Sequence, residues 1–367
     1  MDNGITWYRG ATVEPEGGSP EVSALMFVAG VLGNVLALVV LELRRRRRHC
    51  TLFRVLVTAL VVTDLAGTCM ISPLVQVAHA LNTSLVGMGG MKNNGTGPVC
   101  AYFGFTMTFF SLSTLALLLA MTLERCIAIA WPYQYGRRVN IRYGLVAVPT
   151  VYALSAAFCA LPFAGFGGYV QYQPGTWCFI NMNPQDHEHE DKVFANVYAT
   201  LMLAMVLMVV ACNCLVAYHL VLMYRRRSGT RGCTVVCGKK DRRHYSLAEE
   251  VEHLILLVFM TVIFVICSLP LMIRVYINST DKMKKNHKAD LDALRYMSVN
   301  SIIDPWAFII LSPSVLRFFW GALCKASNRG ASYRTSLAKG SGRPLELCQN
   351  NAISTDITHF NKSAQML

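Results

Sequence analysis

Seven long apolar runs dominate the pattern of hydrophobic and polar positions along this chain. We place them at about 22–43, 52–80, 98–130, 143–166, 191–224, 249–278 and 290–311. Each run is long enough to cross a hydrocarbon core about 30 Å thick as a helix. Helices are expected because hydrocarbon offers no water to satisfy backbone amides and carbonyls, and the runs are too uniformly apolar for the alternating strands of a β-barrel. The sequence therefore predicts an all-α membrane protein, a bundle of seven transmembrane helices.

The same pattern divides the chain into four parts. We expect an N-terminal segment at 1–21, the bundle at 22–311, a short amphipathic helix at 312–325 and a disordered tail at 326–367. The amphipathic segment suits a position along the membrane interface, and Cys324 beside it is a candidate for palmitoylation. The tail is rich in serine, threonine and asparagine, a composition that cannot bury a core.

Loop charge predicts the orientation of the bundle. The formal net charge is +13, although only 15% of the residues are charged. Basic residues cluster at 44–54, 137–142 and 225–243, in the first, third and fifth loops, and the sixth loop departs from this pattern with lysines at 282–288. Because basic loops stay in the cytoplasm, we expect an extracellular N-terminus, a cytoplasmic C-terminus and a multi-pass location in the plasma membrane. The charge is thus explained by topology, and no nucleic-acid partner is expected.

The predicted outer side carries candidates for two modifications. The sequons at Asn82, Asn94 and Asn278 all fall there and are candidates for glycosylation. Of the thirteen cysteines, only Cys100 and Cys178 fall on that side, where oxidation is possible. One disulfide is therefore the expectation.

Polar residues inside two apolar runs need an explanation, because a charge at the bilayer centre costs about 2.5–3.5 kcal/mol on insertion scales. Asp64 lies midway along the second run, and Asp304 lies deep in the seventh. Asn300 precedes Asp304 by four residues and shares its helical face, and Asn34 in the first run is near enough in depth to join them. Two interpretations stay open, a polar packing network between helices and a hydrated ion or switch site.

A charged pair closes the third run. Glu124 and Arg125 lie at its predicted cytoplasmic end, and Glu250 begins the sixth run at the same depth. The pair can simply extend to the interface. Alternatively, Arg125 pairs with Glu124 and Glu250, and breaking those pairs frees the sixth helix to move outward as a bistable element.

Arg295 is the most informative residue of the seventh run. It lies nine residues before Asp304, about 13 Å along a helix. No acid is evident at its depth in the other runs, and Asp292 is nearer the surface. Arg295 either extends toward headgroups or Asp292, or it binds a ligand carboxylate, which a guanidinium matches with two parallel hydrogen bonds.

Several short motifs together resemble one family over nearly the whole chain. They are Gly33-Asn34, Asp64, Cys100, Glu124-Arg125-Cys126, Pro270 and Asp304-Pro305. In order and spacing this set resembles the rhodopsin-like G-protein-coupled receptors. Ser268, Asp304-Pro305 and the Gly-Thr-Trp-Cys sequence at 175–178 resemble the prostanoid receptors within that family. The resemblance implies that Cys100 pairs with Cys178 and that the protein is a receptor, not an enzyme, without cofactor or metal.

The resemblance also implies a ligand site. Arg295 matches the arginine that binds the fatty-acid carboxylate in prostanoid receptors, and Thr176 matches a threonine that assists it. His79 stands where close relatives carry a tyrosine, and a neutral imidazole can still donate a hydrogen bond. By their positions we add six candidates for the ligand's chains and ring oxygens: Trp177, Thr68, Ser72, Met107, Phe110 and Leu294.

Within the family, the helix runs resemble most the second-subtype receptors for prostaglandin E2, and next the prostaglandin D2 and prostacyclin receptors. This implies coupling to the stimulatory G protein Gs, a rise in cyclic AMP, and contacts of the tail with arrestin and receptor kinases, besides membrane lipids. A transporter or channel is the alternative from another class. It would have internal symmetry, broken helices or a charged lining, and none of these patterns is visible in the sequence.

Overall fold

The computed structural model contains helices and one small hairpin. It describes residues 12, 20–45, 51–89, 97–138, 142–183, 189–229, 240–280 and 286–311. In chain order the elements are α1 (Pro20–Arg45), α2 (Leu52–Leu81), α3 (Leu85–Met88), α4 (Pro98–Ala130), α5 (Pro132–Arg138), α6 (Arg142–Cys159), a 3-10 turn (Leu161–Ala164), β1 (Tyr169–Tyr172), β2 (Trp177–Ile180), α7 (His189–Gly229), α8 (Lys240–Thr280) and α9 (His287–Ile310).

Several predicted features lie outside the described residues. They are the amphipathic helix at 312–325 with Cys324, the tail at 326–367, the sequon at Asn94 and most of the N-terminal segment 1–21.

The seven-helix prediction is confirmed by α1, α2, α4, α6, α7, α8 and α9. Six of them are long and apolar enough by composition to cross a membrane. The seventh, α9, is more polar because it carries Asp290, Asp292, Arg295 and Asp304 within 24 residues. It nevertheless packs against α1, α2 and α8 as a full member of the bundle.

Close packing of α1 against α9 depends on a glycine. A Cβ atom at Gly33 would lie only 2.7 Å from the indole nitrogen of Trp306. The two helices can therefore approach each other here only because residue 33 has no side chain.

A β-hairpin covers one end of the bundle. Strands β1 and β2 are antiparallel, with Gln171 opposite Cys178. Cys178 is disulfide-bonded to Cys100 in the first turn of α4, which confirms the predicted disulfide. The hairpin packs closely on α4, since a Cβ at Gly104 would lie 2.6 Å from the ring of Tyr169. We call this end of the bundle the disulfide end and the opposite end, where α4 carries Arg125, the Arg125 end.

A buried carboxylate joins three elements at the disulfide end. Asp290 in α9 is fully buried and accepts hydrogen bonds from Arg274 Nε (2.7 Å), Asn278 Nδ2 (3.1 Å) and Asn183 Nδ2 (2.9 Å). Arg274 and Asn278 belong to α8, and Asn183 lies just after β2. Sequence reasoning missed this cluster.

The cluster changes the interpretation of one sequon. Asn278 is only 4% exposed, because α8 continues to Thr280 and turns this side chain toward the bundle. Its Nδ2, the atom that would carry a glycan, donates to Asp290 instead. Asn82 is different, since it is an exposed residue at the C-cap of α2 with φ of 49°.

Candidate functional site

A cavity of about 550 Å³ lies among α1, α2, α4, α8 and α9, and the hairpin forms part of its wall. This volume is within the usual range for small-molecule sites, about 300–1,000 Å³. It is lined by eight of the nine residues that the sequence proposed for ligand binding, Arg295, Thr176, Trp177, His79, Thr68, Ser72, Met107 and Phe110. Residues from distant parts of the chain are thus brought together around one space.

The ninth candidate, Leu294, is not among the residues that line the cavity, which corrects the prediction that it binds the ligand. Its side chain is 0% exposed and belongs to the hydrophobic core. Leu294 therefore packs inside the bundle, while its neighbour Arg295 lines the cavity.

Arg295 faces the cavity together with an acid. Its Nη1 lies 3.5 Å from Oδ1 of Asp292, one turn earlier in α9, and both side chains line the cavity. The side chains are 37% and 45% exposed, respectively. The sequence placed Asp292 nearer the surface and showed no acid at the depth of Arg295 in the other apolar runs. The contact with Asp292 is one of the alternatives that the sequence left open, and it forms because residues three apart are neighbours on a helix surface.

Thr176 presents a hydroxyl that is ready for a partner. The residue is 1% exposed and lines the cavity, and among the described residues its Oγ1 has no hydrogen-bond partner. It sits at the turn of the hairpin, where the backbone nitrogen of Leu85 donates to the carbonyl of Gly175 at 2.9 Å. Buried hydroxyls are normally hydrogen-bonded, so this position suits a ligand acceptor atom.

The deep end of the cavity is polar. Thr114 Oγ1 donates to Asp64 Oδ1 at 3.1 Å, and Asn300 Nδ2 donates to Asp304 Oδ2 at 2.8 Å. Asn34 donates to the backbone oxygen of Ser301 at 3.2 Å, which attaches α1 to α9. Within the described part of the chain, Asp64 Oδ2 and Asp304 Oδ1 are buried without a partner. This arrangement suits bound water or an ion, and it leaves both sequence-based interpretations of the polar centre open.

Ion pairs surround Arg125 at the other end of α4. Its Nε and Nη2 each lie 2.5 Å from an oxygen of Glu124, and its Nη1 lies 3.1 and 3.3 Å from the two oxygens of Glu250 in α8. The structure therefore contains both pairs that the sequence suggested. In addition, Nη1 lies 3.4 Å from Nδ1 of His253, and the guanidinium carbon lies 4.9 Å from the ring centre of Phe53 in α2. The cluster thus joins α2, α4 and α8.

Tyr135 extends this cluster to α5. Its hydroxyl donates a hydrogen bond to Oε1 of Glu124. Burial raises the pKa of the Tyr135 phenol well above its usual range, and the bond to the Glu124 carboxylate raises it further. The phenol therefore keeps its proton and remains a donor. Sequence reasoning missed this contact because a tyrosine in a loop carries no signal of its partner.

Comparison with known proteins identifies the class to which this architecture belongs. The family described as "7 transmembrane receptor (rhodopsin family)" matches residues 33–308. The crystal structure of squid rhodopsin superposes with a TM-score of 0.64 over 88% of this chain and 94% of that chain, at 12% sequence identity, which supports the fold alone. The class is therefore that of the rhodopsin-type seven-transmembrane receptors, which are multi-pass membrane proteins.

Sequences more similar to this chain than squid rhodopsin identify the subfamily within that class. The chain is 46% identical to the human prostaglandin E2 receptor EP2 subtype over 326 residues, 84% of this chain and 87% of the relative. It is 42% identical to the mouse prostacyclin receptor over 88% of this chain and 75% of the relative. It is also 42% identical to the mouse prostaglandin D2 receptor over 83% and 88%, respectively. The chain belongs to the prostanoid receptors, as its sequence predicted, and it is a receptor and not an enzyme.

Proposed function

We propose that this protein is a receptor for prostaglandin E2 that couples to Gs and raises cyclic AMP through adenylate cyclase. The observation that carries the proposal is the mainly apolar cavity shared by the guanidinium of Arg295, the imidazole of His79 and the hydroxyl of Thr176, which has no hydrogen-bond partner among the described residues. The greater similarity to the human EP2 subtype, compared with the prostacyclin and D2 relatives, favours prostaglandin E2. A prostaglandin D2 or prostacyclin receptor with the same coupling is the second candidate, supported by 42% identity to each.

The ligand carboxylate binds at Arg295 in this proposal. Guanidinium–carboxylate pairs reach N···O distances of about 2.7–2.9 Å and often form two parallel bonds. The existing contact of Arg295 with Asp292 is longer, at 3.5 Å, so a ligand carboxylate can form the better pair. Thr176 donates its hydroxyl hydrogen to the same carboxylate, and a neutral His79 adds an N–H donor.

The rest of the cavity suits the remainder of a prostaglandin. Met107, Phe110 and Trp177 provide apolar surface for the two alkyl chains. Thr68 and Ser72 line the same cavity, and their hydroxyls are our candidates for hydrogen bonds with the hydroxyl and keto oxygens of the ring. Thr68 already donates to the backbone oxygen of Asp64 at 2.8 Å, and its oxygen remains able to accept a hydrogen bond.

The receptor lies in the plasma membrane with its disulfide end outside. The basic loops next to the Arg125 end support a cytoplasmic position for that end. An agonist acts by binding the active arrangement more tightly than the inactive one. In the active arrangement α8 moves away from Arg125, and the exposed surface binds Gs. Arrestin and receptor kinases bind the tail.

Replacement of the anchor tests the proposal. Arg295→Ala is expected to lower the potency of prostaglandin E2 by about tenfold to a hundredfold, because a hydrogen bond to a charged group contributes about 1.5–3 kcal/mol. Cyclic AMP is measured in transfected cells, and surface expression is measured with an extracellular tag. Lys288→Ala is a matched control, since Lys288 is an exposed cation of the same helix and does not line the cavity.

Two results contradict the proposal. If Arg295→Ala retains full potency at normal surface expression, the carboxylate does not bind at Arg295. If prostaglandin D2 or a prostacyclin analogue is more potent than prostaglandin E2 on the unchanged receptor, the second candidate replaces the first.

A further inference from the structure

The side chain of Asp292 occupies a position that a ligand carboxylate would also favour. It projects into the cavity from α9 and reaches Arg295 from one turn away, with Oδ1 3.5 Å from Nη1. It is 45% exposed, so it can move away without breaking any packing of the core. The two side chains form an ion pair inside the space where the ligand binds.

A neighbouring acid provides the contrast. Asp290, two residues earlier, is 0% exposed and is held by Arg274, Asn278 and Asn183. Its hydrogen bonds are structural and join α8, α9 and the hairpin segment. Asp292 has no such network, and its hydrogen bond within the described residues is the contact from Arg295. Asp292 is therefore available for a role that depends on what else is in the cavity.

Asp292 and a ligand carboxylate would compete for the guanidinium of Arg295, and their contact distances indicate which pair is stronger. A contact of 3.5 Å between half-exposed groups is weaker than a charge-assisted hydrogen bond of about 2.7–2.9 Å. An incoming carboxylate forms the stronger pair with the guanidinium, but it must displace Asp292 and then lie close to a second negative charge. A ligand with a neutral head group leaves the Asp292–Arg295 pair in place, so the cation keeps a counter-ion.

We propose that Asp292 is a built-in counter-ion of Arg295 that competes with the ligand carboxylate and so sets how strongly the receptor prefers anionic over neutral ligands. This inference rests on the proposed function, in which Arg295 is the carboxylate anchor. Asp292 lowers the affinity for the acid and preserves the affinity for neutral analogues. Removing its charge therefore increases the preference for the acid.

Equilibrium binding to membranes tests the inference. The probes are prostaglandin E2 and its analogue with a primary alcohol in place of the carboxylate, each measured with the parent receptor and with Asp292→Asn. The variant is expected to bind the acid about fivefold more tightly, the scale of a half-exposed ion pair, and to bind the alcohol no more tightly than the parent. The gain is expected to shrink as salt is raised, because exposed charges are screened.

Two further variants sharpen the test. Glu190→Gln removes the same charge from an exposed position at the start of α7, outside the cavity, and it is expected to change neither affinity. In the Arg295→Ala background, Asp292→Asn is expected to improve the affinity for the acid less than it does in the parent, because competition for the guanidinium is gone and only the direct repulsion between the two carboxylates remains. If Asp292→Asn fails to reach the surface, Asp292→Ser removes the same charge and is measured instead.

The outcomes separate this inference from the proposal on which it rests. If Arg295→Ala leaves the affinity for the acid unchanged, the anchor itself is wrong and the proposed function fails. If Arg295→Ala weakens the acid but neutral variants of Asp292 leave its affinity unchanged or reduce it, Asp292 does not compete and the inference is overturned. An equal gain for acid and alcohol also overturns it, since the effect would not depend on the ligand's charge.

Discussion

Replacing Glu250 with glutamine perturbs a single link between α8 and α4. Both carboxylate oxygens of Glu250 lie within 3.3 Å of Nη1 of Arg125, and the side chains are 27% and 8% exposed, respectively. Glutamine keeps the shape of the side chain but not its charge. The contacts of Arg125 with Glu124 and with Nδ1 of His253 remain, so the substitution weakens the attachment of α8 to α4 without removing it.

The size of the effect follows from the exposure of the pair. A hydrogen bond to a charged group contributes about 1.5–3 kcal/mol when buried, and a solvent-exposed ion pair about 0.2–1 kcal/mol. Glu250 lies between these limits, and about 1 kcal/mol is the appropriate scale. That energy is a factor of about five in the equilibrium between the two arrangements. If about 1% of ligand-free receptors are active, the variant has about 5%.

The assay is cyclic AMP without ligand, normalised to the number of receptors at the surface. Glu250→Gln is expected to raise this basal signal about fivefold. Glu252→Gln is the control, because it removes the same charge two residues along α8, where the side chain points to a different face. Unchanged basal signalling in Glu250→Gln, or an equal increase in Glu252→Gln, would refute the reasoning.

Two further predictions concern the loop helix α5 and the outer end of α8. Tyr135→Phe removes the hydrogen bond to Glu124, and it is expected to raise basal cyclic AMP by up to about fivefold, the scale of one hydrogen bond. Tyr133→Phe is the control, because Tyr133 is 79% exposed in the same helix, and it is expected to leave basal cyclic AMP unchanged. Thr280→Ala destroys the sequon at Asn278, and because that amide is buried, the shift in gel mobility on enzymatic deglycosylation is expected to equal that of the parent. A smaller shift would mean that Asn278 carries a glycan.

The helices were predictable because each is encoded by a continuous run of apolar residues, and the disulfide was predictable because few cysteines lie on the predicted outer side. A run of about 20 apolar residues indicates a membrane-spanning helix without reference to any other part of the chain. The pairing of Cys100 with Cys178 followed from the family resemblance and agreed with their predicted side of the membrane. Arg295 was recognisable as a candidate for a related reason, because a cation inside an apolar run is costly, and the structure places it in the wall of the cavity.

What the sequence left out depends on side-chain direction and on contacts between distant segments. Leu294 faces the core and Arg295 the cavity, a difference of one residue that a span boundary uncertain by a few residues cannot resolve. The hydrogen bonds of Asp290 join residues from α8, α9 and the segment after β2. The sequence pattern of one of these segments does not predict its contacts with the other two. The bond of Tyr135 depends likewise on where α5 lies against α4.

Helix α4 runs through three regions described above, the disulfide end, the cavity and the Arg125 end. Cys100 in its first turn holds the hairpin, and Met107 and Phe110 line the cavity. Arg125 lies about 38 Å beyond Cys100 along the helix, at 1.5 Å per residue. The continuous backbone hydrogen bonds of an α-helix keep its length nearly constant, so a displacement of one end along the axis also moves the other. A substitution that tilts α4 is consequently expected to alter the cavity and the Arg125 cluster together.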